Sequence, residues 1–345
     1  MPTEREFLDI LSGQTKGAKA SLARGGLAAI EPFYASAMRV RNALFDRGIK
    51  PAVDLGRPAI SVGNLTTGGT GKTPVVQWLA RRLIAKGKRP AVLLRGYKSK
   101  DGVSDEAELY RAIDGLEVEA NPDRIAGAGT VLKRTPAVDV FLLNDAFQHR
   151  RAKRNFDLVL IDASNPFGHG HVLPRGLLRE PMSGLSRASA ILITHADDRD
   201  DALLARLRSL NAAAPIFHCR HAIHRLIDAN GLPVDRSGIA PVAAVAGIGN
   251  PGAFFEELAT RLHLPLSASI ALPDHVAFDN TLVDRLNADL AKIRTVIVTE
   301  KDWVKLRALA DRFRPTIARA VLELDFADGH AETLGNAIEK SLFAN

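Results

Sequence analysis

The sequence has almost no cysteine: Cys219 is the only one in 345 residues. That excludes a disulfide framework and any zinc ribbon built on paired cysteines, and it leads to the expectation of a reducing compartment such as the cytoplasm. Aromatic residues are sparse, and no long hydrophobic run is present. The longest nearly apolar stretch, Ile239 to Gly249, falls far short of the roughly 20 residues that carry a helix across a bilayer. The N-terminus, with Pro2, Glu4, Glu6 and Asp9, lacks a basic segment followed by an apolar one, so no secretory signal is expected. Internal repeats and low-complexity tracts are missing as well.

What is present suffices for a folded chain of two domains. Hydrophobic residues make up 46% and charged ones 25%, and the length exceeds the size at which one core keeps growing. A net charge of +7 and a pI near 9.6 call for an acidic partner: nucleotide, nucleic acid, an anionic lipid surface or a phosphorylated substrate. Charge alone does not choose among them.

Residues 31 to 48 read as a helix, with Pro32 suited to its first position and Gly48 to its end. Phe33, Tyr34, Ala37, Met38, Leu44 and Phe45 form one stripe. Between residues 11 and 50 stand seven Lys or Arg against Glu31 and Asp46, the composition of a basic amphipathic segment that lies on a membrane surface or packs on the main domain. From Pro58 onward, short aliphatic runs alternate with helical stretches: Ala59 to Val62, Pro90 to Leu94, Val138 to Leu143, Leu158 to Ile161 and Ala190 to Ile193. Such runs belong to a parallel sheet covered on both faces. A second block has strands at Val242 to Ala246 and Thr295 to Thr299 and a helix from about Gly252 to Leu262. Turn formers cluster between residues 220 and 240. The expected division is an amphipathic segment 1–50, a P-loop domain 51–225 and a smaller α/β domain 226–345.

The strand Ala59 to Val62 leads into Gly63-Asn64-Leu65-Thr66-Thr67-Gly68-Gly69-Thr70-Gly71-Lys72-Thr73-Pro74, and Val75 to Ala85 then reads as a helix. A P-loop needs this context. Small residues let backbone N–H groups wrap phosphates at a helix N-terminus, Lys72 reaches the β and γ oxygens, and the Thr73 hydroxyl ligates Mg²⁺. Gly68, Gly69, Thr70 and Gly71 complete the cradle. The strict pattern wants Gly where Thr66 stands. Acidic residues at the ends of two buried strands, Asp145 and Asp162, are candidates for the carboxylate that organises Mg²⁺ in such proteins; each also reads as a helix cap or turn aspartate.

Further segments are too specific to be generic: Arg95-Gly96-Tyr97, Asp105-Glu106, Asn121-Pro122-Asp123-Arg124, Asp145-Ala146-Phe147-Gln148-His149, Phe167-Gly168-His169-Gly170, Leu173-Pro174, Arg179-Glu180-Pro181, Asp274-His275 and Thr299-Glu300-Lys301-Asp302. In this order, with Val-Gly-Asn before the P-loop, the chain resembles the tetraacyldisaccharide 4′-kinases of lipid A biosynthesis from about Phe33 to Lys305. The resemblance implies a P-loop NTPase domain with a mainly parallel sheet, a smaller α/β C-terminal domain that brings His275 to the cleft, and an N-terminal amphipathic helix on the inner-membrane surface. It implies ATP and Mg²⁺ as cofactors and a glycolipid acceptor phosphorylated on its 4′ hydroxyl. By matching positions, Lys72 and Thr73 serve nucleotide and metal, Asp105 is the base for the sugar hydroxyl and His275 its partner. Glu106, Arg124, Asp145, Gln148, His149, Arg179 and Glu180 line the cleft. A hydroxyl nucleophile needs a carboxylate within hydrogen-bond reach, and a histidine can orient it.

Three departures stand out. The family's Asp-Asp-Gly is Asn144-Asp145-Ala146 here, which removes one carboxylate near the metal. Its Gly-Asp-Glu-Pro is Ser104-Asp105-Glu106-Ala107, and Arg175 and Leu177 replace a small residue and a proline. An altered glycolipid acceptor and a nucleotide-binding protein without turnover are the alternatives these departures allow; a P-loop switch protein is a third. The basic run His149 to Arg154 comes without an RNA-binding aromatic signature, so no nucleic acid is expected. His218, Cys219, His221 and His224 match no zinc spacing.

Overall fold

Aliphatic runs bounded by turn residues become strands because a strand covered on both faces buries every side chain it carries. The computed structural model describes residues 4–68, 70–96, 105–195, 200–273 and 276–343, the side chains of residues 4, 5 and 105 excepted. In chain order come α1 (Glu4–Ser12), α2 (Ala18–Asp46), β1 (Ala59–Asn64), α3 (Lys72–Ala85), β2 (Pro90–Leu94), α4 (Asp105–Arg111), β3 (Glu117–Ala120) and α5 (Arg124–Arg134). Then follow β4 (Val140–Asn144), β5 (Phe156–Asp162), β6 (Ala190–Thr194), α6 (Asp201–Leu210), β7 (Ile216–Ile227) and β8 (Val242–Ala246). The chain closes with α7 (Pro251–Thr260), β9 (Leu266–Ala271), α8 (Asn280–Asp289), β10 (Thr295–Thr299), α9 (Glu300–Leu306), β11 (Thr316–Phe326) and α10 (His330–Phe343).

Two compact units result, and they are not consecutive pieces of chain. The first takes residues 1–95, 115–220 and 326–345, and the second 96–114 and 221–325. Against the expected division at 50 and 225, α4 groups with the second unit and α10 with the first, and β7 runs through the stretch where turn formers cluster.

In the first unit the strand order is β3-β2-β4-β1-β5-β6-β7, with parallel pairing. β1, buried along its whole length, lies between β4 and β5. The chain leaves β1 for β2 and β3, returns through β4, and crosses to β5, so the winding direction reverses at β1. At such a switch point a crevice opens beyond the carboxyl ends of the strands, where ligands bind in doubly wound sheets. Phe147, Leu65, Val159, Ile161 and Ile191 pack one core face, and Ala91, Leu93, Phe141 and Leu143 another. α10 docks on α3 in this unit: Arg82 pairs with Glu332 and Glu339, both at 2.6 Å. In the second unit the order is β7-β11-β10-β8-β9, with the β11–β10, β10–β8 and β8–β9 pairs parallel.

α2 corrects the expected helix. It spans 29 residues, and Pro32 lies inside it rather than at its first position. The expected single stripe divides between two faces. Ala35 joins the core beside Leu65 and Phe147, and Tyr34 donates its hydroxyl to the Arg179 carbonyl at 2.8 Å. Phe33 points away and is 78% exposed, in line with Leu22, Ile30 and Val40.

Candidate active site

The loop between β1 and α3 turns through left-handed backbone at Gly68 (φ 113°) and Gly71 (φ 77°), conformations that only glycine adopts cheaply. Gly71 precedes the helix, and no side chain caps α3. By contrast α5, α7, α8 and α9 are capped by Asp123, Asn250, Asp279 and Thr299. α3 begins at Lys72 and Thr73, and at a helix start of this kind the backbone N–H groups and the helix dipole favour an anion. Gly69 lies outside the described residues. Thr66 needs no glycine conformation, because its backbone bridges Leu178 while Thr67 N–H donates to the Leu177 carbonyl at 2.8 Å. A Cβ on Gly168 would come within 3.1 Å of the Thr66 methyl, so the 168–178 segment packs closely over the start of the loop.

Beside the loop, β4 ends and Asp145 bends into the left-handed region (φ 52°), its N–H donating to the Val62 carbonyl of β1 at 2.9 Å. That turn delivers the carboxylate to two cations. Arg179 Nη1 donates to both oxygens at 2.8 and 2.9 Å, and Lys72 Nζ stands 3.4 Å away. Burial pushes the Asp145 carboxyl upward, but attraction and hydrogen bonds from Lys72 and Arg179 outweigh it and hold the group below the usual carboxylate range. With side-chain exposures of 12% for Lys72 and 20% for Asp145, this is no surface ion pair worth under about 1 kcal/mol. Lys72 also donates to Asn64 Oδ1 at 3.1 Å and to Thr70 Oγ1 at 3.4 Å. The Thr194 hydroxyl, at the end of β6, holds the Thr70 carbonyl at 3.2 Å.

Behind these residues lies a layer of buried polar groups. Glu180 is fully buried; it accepts from Asn42 Nδ2 at 2.7 Å, Gln148 Nε2 at 3.0 Å and Arg187 Nη2 at 2.9 Å. Gln148 Nε2 also donates to the Asn64 carbonyl at 2.9 Å. Arg124, 3% exposed, donates to the carbonyls of Asn121 and Asn144, each at 3.0 Å. Arg124 and Glu180, expected to line the cleft, thus stand behind it and hold other site residues in place. His149 is half-buried, and desolvation together with the Arg124 charge lowers its pKa.

Other expected residues fall elsewhere. Asp105 and Glu106 open α4 in the second unit, and Glu106 accepts from the Tyr110 hydroxyl at 3.4 Å. The Asp105 side chain, Asp274 and His275 lie outside the described residues. Asp162, the other strand-end candidate, meets His195 at 3.2 Å and the Ser164 hydroxyl at 2.6 Å. These hydrogen bonds outweigh its burial and lower its pKa. His171 pairs with Glu31 of α2 at 3.0 Å. The basic run is occupied within the protein: Arg150 meets Asp46 at 2.6 Å, Arg151 meets Asp123 at 3.4 Å, Lys153 meets Asp54 at 3.1 Å and Arg154 meets Asp157 at 3.1 Å. Burial pushes the Cys219 thiol up to about 12, which makes it inert at neutral pH.

A hard divalent cation fits the donor set. The Asp145 carboxylate, the Thr73 hydroxyl and the Asn144 side-chain oxygen are all oxygen donors of the kind Mg²⁺ takes, and buried Asn144 Oδ1 has no hydrogen-bond partner among the described residues. Sequence spacing does not single out Asn42, Arg187 or Thr194. Asn64 carried a local signal, an amide at the end of a continuous apolar strand. The Asn42–Glu180 contact, 138 residues apart in sequence, carried none.

The family model described as tetraacyldisaccharide-1-P 4′-kinase matches residues 24–342. A tetraacyldisaccharide 4′-kinase of Pelobacter propionicus is 38% identical, covering 92% of this chain and 94% of its own. One from an Anaeromyxobacter species (strain K) is 37% identical, with 86% of each chain covered. The crystal structure of LpxK from Aquifex aeolicus, in complex with ATP, superposes with a TM-score of 0.74 at 25% identity, covering 93% of this chain and all of that one. The chain therefore belongs to the tetraacyldisaccharide-1-P 4′-kinase family.

Proposed function

We propose that this protein transfers the γ-phosphoryl group of ATP to the 4′ hydroxyl of a tetraacyldisaccharide 1-phosphate, a lipid A precursor. The observation that carries this reading is the meeting of Lys72, Asp145 and Arg179 at the N-terminus of α3, beside the glycine loop. A triphosphate seated on the α3 amides brings its β and γ oxygens to Lys72, whose ammonium leaves the Asp145 carboxylate for them. Arg179 lies on the same carboxylate and supplies a second cation for the charge that spreads over the transferred group. Thr73, Asp145 and Asn144 would hold Mg²⁺, which when bound neutralises phosphate charge. Asp105 takes the proton of the attacking sugar hydroxyl and His275 orients that carboxylate. The new O–P bond forms at the γ phosphorus, the bond to the β-bridging oxygen breaks, and ADP leaves.

The acceptor is a lipid, and α2 offers it a surface. Leu22, Phe33, Val40 and Ile30 are 80, 78, 60 and 54% exposed, and Lys16, Lys19, Arg39, Arg47 and Lys50 are exposed around them. An apolar stripe with a basic surround suits the cytoplasmic face of an anionic membrane, and no helix among the described residues is long and apolar enough to span one.

Incubation of the protein with Mg-ATP and a tetraacylated disaccharide 1-phosphate should yield a product one phosphate heavier. Lys72→Ala and Asp105→Ala should each abolish it; full activity in Asp105→Ala removes that residue from the base role. Phe33→Glu should weaken flotation with anionic vesicles while leaving ATP binding intact.

A further inference from the structure

A continuous set of hydrogen bonds runs from α2 to the phosphate-loop lysine. Asn42 Nδ2 donates to Glu180 Oε2 at 2.7 Å, and Gln148 Nε2 donates both to Glu180 Oε1 at 3.0 Å and to the Asn64 carbonyl at 2.9 Å. Asn64 Oδ1 then accepts from Lys72 Nζ at 3.1 Å, and Asn64 Nδ2 ties off the loop on the Thr66 carbonyl and hydroxyl at 2.9 and 3.1 Å. Asn64 and Glu180 have no exposed surface. Glu180 accepts from Arg187 on both oxygens, and a Cβ on Gly184 would come within 2.5 Å of its Oε2, so the backbone of that turn packs directly on the carboxylate.

We infer that Asn64 is a positioning residue for Lys72, and that the hydrogen-bonded chain Asn42, Glu180, Gln148 and Asn64 makes the setting of the lysine depend on the seating of α2. The inference rests on the reading of Lys72 as the triphosphate-binding lysine. An amide suits position 64 because both its ends are used. The oxygen aims a cation without neutralising it, and the NH₂ group fixes the backbone from which the loop starts. A carboxylate there would lose the donor and bind Lys72 as a counter-ion in competition with phosphate. A hydrocarbon of the same shape would leave a buried ammonium with one acceptor fewer. Because Asn42 belongs to α2, displacement of that helix reaches Asn64 through the side chains of Asn42, Glu180 and Gln148, and reaches the lysine through Asn64, whose main-chain carbonyl takes one contact and whose side chain makes the other.

Calorimetric titration of the full-length protein with Mg-ATP tests this. Asn64→Leu should raise the ATP Kd roughly tenfold, the scale of one hydrogen bond to a charged group, with the melting temperature recorded alongside. Should that variant fail to fold, Gln148→Met cuts the chain one step further out and should weaken ATP by several-fold. Asn64→Asp gives the readout that a structural role would not move. Its charged neighbours are Lys72 directly, Asp145 and Arg179 beyond the lysine, and Glu180 with Arg187 beyond Gln148. The ratio of its ATP Kd to that of the parent should fall as the pH is lowered and the introduced carboxyl takes up a proton. Asn42→Leu should weaken ATP several-fold, whereas Asp46→Asn, which cuts a tie of α2 off this path, should not. Equal effects of those two changes overturn the link to α2. Unchanged ATP affinity in folded Asn64→Leu and Gln148→Met overturns the inference alone; absence of ATP binding by the parent overturns the reading of Lys72 and this inference with it.

Discussion

Two carboxylates occupy comparable places in the two units and live under opposite conditions. Asp145 follows strand β4 in the first, and Asp302 lies in the first turn after strand β10 in the second. Each belongs to a turn packed against a glycine at the end of a neighbouring strand. A Cβ on Gly63 would lie 2.7 Å from Phe147 Cβ, and one on Gly247 would lie 3.0 Å from Asp302 Oδ1. Asp145 sits in strained backbone between Lys72 and Arg179, which hold its pKa down. Asp302 is fully buried and accepts from the Thr299 hydroxyl at 2.7 Å and the Gly247 N–H at 3.1 Å, with Thr299 capping α9 in return. Burial dominates there and raises its pKa. Two turns that each follow a buried strand thus yield a charged centre where cations converge and a structural cap where a hydroxyl and a backbone N–H converge.

The largest expected effect tests that division of roles directly. Asp145→Asn removes the negative charge between two cations, and with it the carboxylate proposed to organise Mg²⁺. It should lower kcat by roughly two to three orders of magnitude, the scale of losing one electrostatic element of a phosphoryl-transfer site. Asp302→Asn keeps the acceptor for Thr299 and Gly247 and should stay within about threefold of the parent, since it alters only a surrounding hydrogen bond. Parallel steady-state measurements with Mg-ATP and the acylated disaccharide decide it. Equal losses in both variants would break the contrast and move Asp302 into the chemistry.

A second pair of variants compares how rigidly each turn is built. Alanine at Gly63 meets the Phe147 backbone nitrogen at 2.8 Å as well as Phe147 Cβ, in the turn that bears Asp145. Backbone cannot rotate away, so a loss of about 2–3 kcal/mol is expected, in the range of core overpacking. Alanine at Gly247 meets the Val276 methyl at 2.8 Å and the Asp302 carboxylate, groups with side-chain freedom, with the Pro273 carbonyl further off at 3.3 Å. Its loss should be smaller, about 1–2 kcal/mol. Urea midpoints with the slope held constant read the difference; a larger loss at Gly247 would reverse the ranking of the two turns.

Lys72 and Asp145 of the charged centre were legible because each is local to the end of a strand or the start of a helix, whereas Arg179, which ends no strand, was reached only through the family resemblance. A continuous apolar run stops at Asn144-Asp145, and a strand, a glycine loop and a lysine at a helix start set Lys72. Strands β1, β2, β4, β5, β6, β8 and β10 fall where aliphatic runs were bounded by turn residues, whereas β3, β7, β9 and β11, which mix polar with apolar residues, were not expected. Less legible was everything that depends on contacts across the chain. α2 begins 13 residues earlier than position 31, since Gly25 and Gly26 dilute the periodicity there and Ala20 is buried only in the folded chain. Exposure of Phe33 beside docked Tyr34 follows from what α2 packs on, which hydrophobicity alone does not encode. The grouping of α10 with the first unit rests on Arg82 finding Glu332 and Glu339, some 250 residues away. Asp302 looked like part of a functional motif, and the burial that outweighs the charges of Lys301 and Lys305 there is visible only in the fold.

The smallest expected effect is the most discriminating, because the two carboxylates should respond to pH with opposite sign. Asp145 has a depressed pKa in the folded state, so its contribution to stability is present above the unfolded value of about 3.9 and is lost as pH falls through the folded one. Asp302 has a raised pKa, so its contribution is fully present below that unfolded value and is lost as pH rises through the folded one. At neutral pH, Asp145→Asn should therefore be less stable than the parent, because Lys72 and Arg179 then face each other uncompensated. Asp302→Asn should be more stable by about 1 kcal/mol, since a neutral amide replaces a buried charge at a similar hydrogen-bond count. Both differences should shrink toward zero as the solution is acidified, one from below and one from above. Urea unfolding of the three proteins between neutral pH and the acid end of the carboxylate range would show this convergence. If Asp302→Asn were destabilising at neutral pH, Asp302 would be held as a carboxylate by a positive charge, and the contrast with Asp145 would reduce to one of position alone.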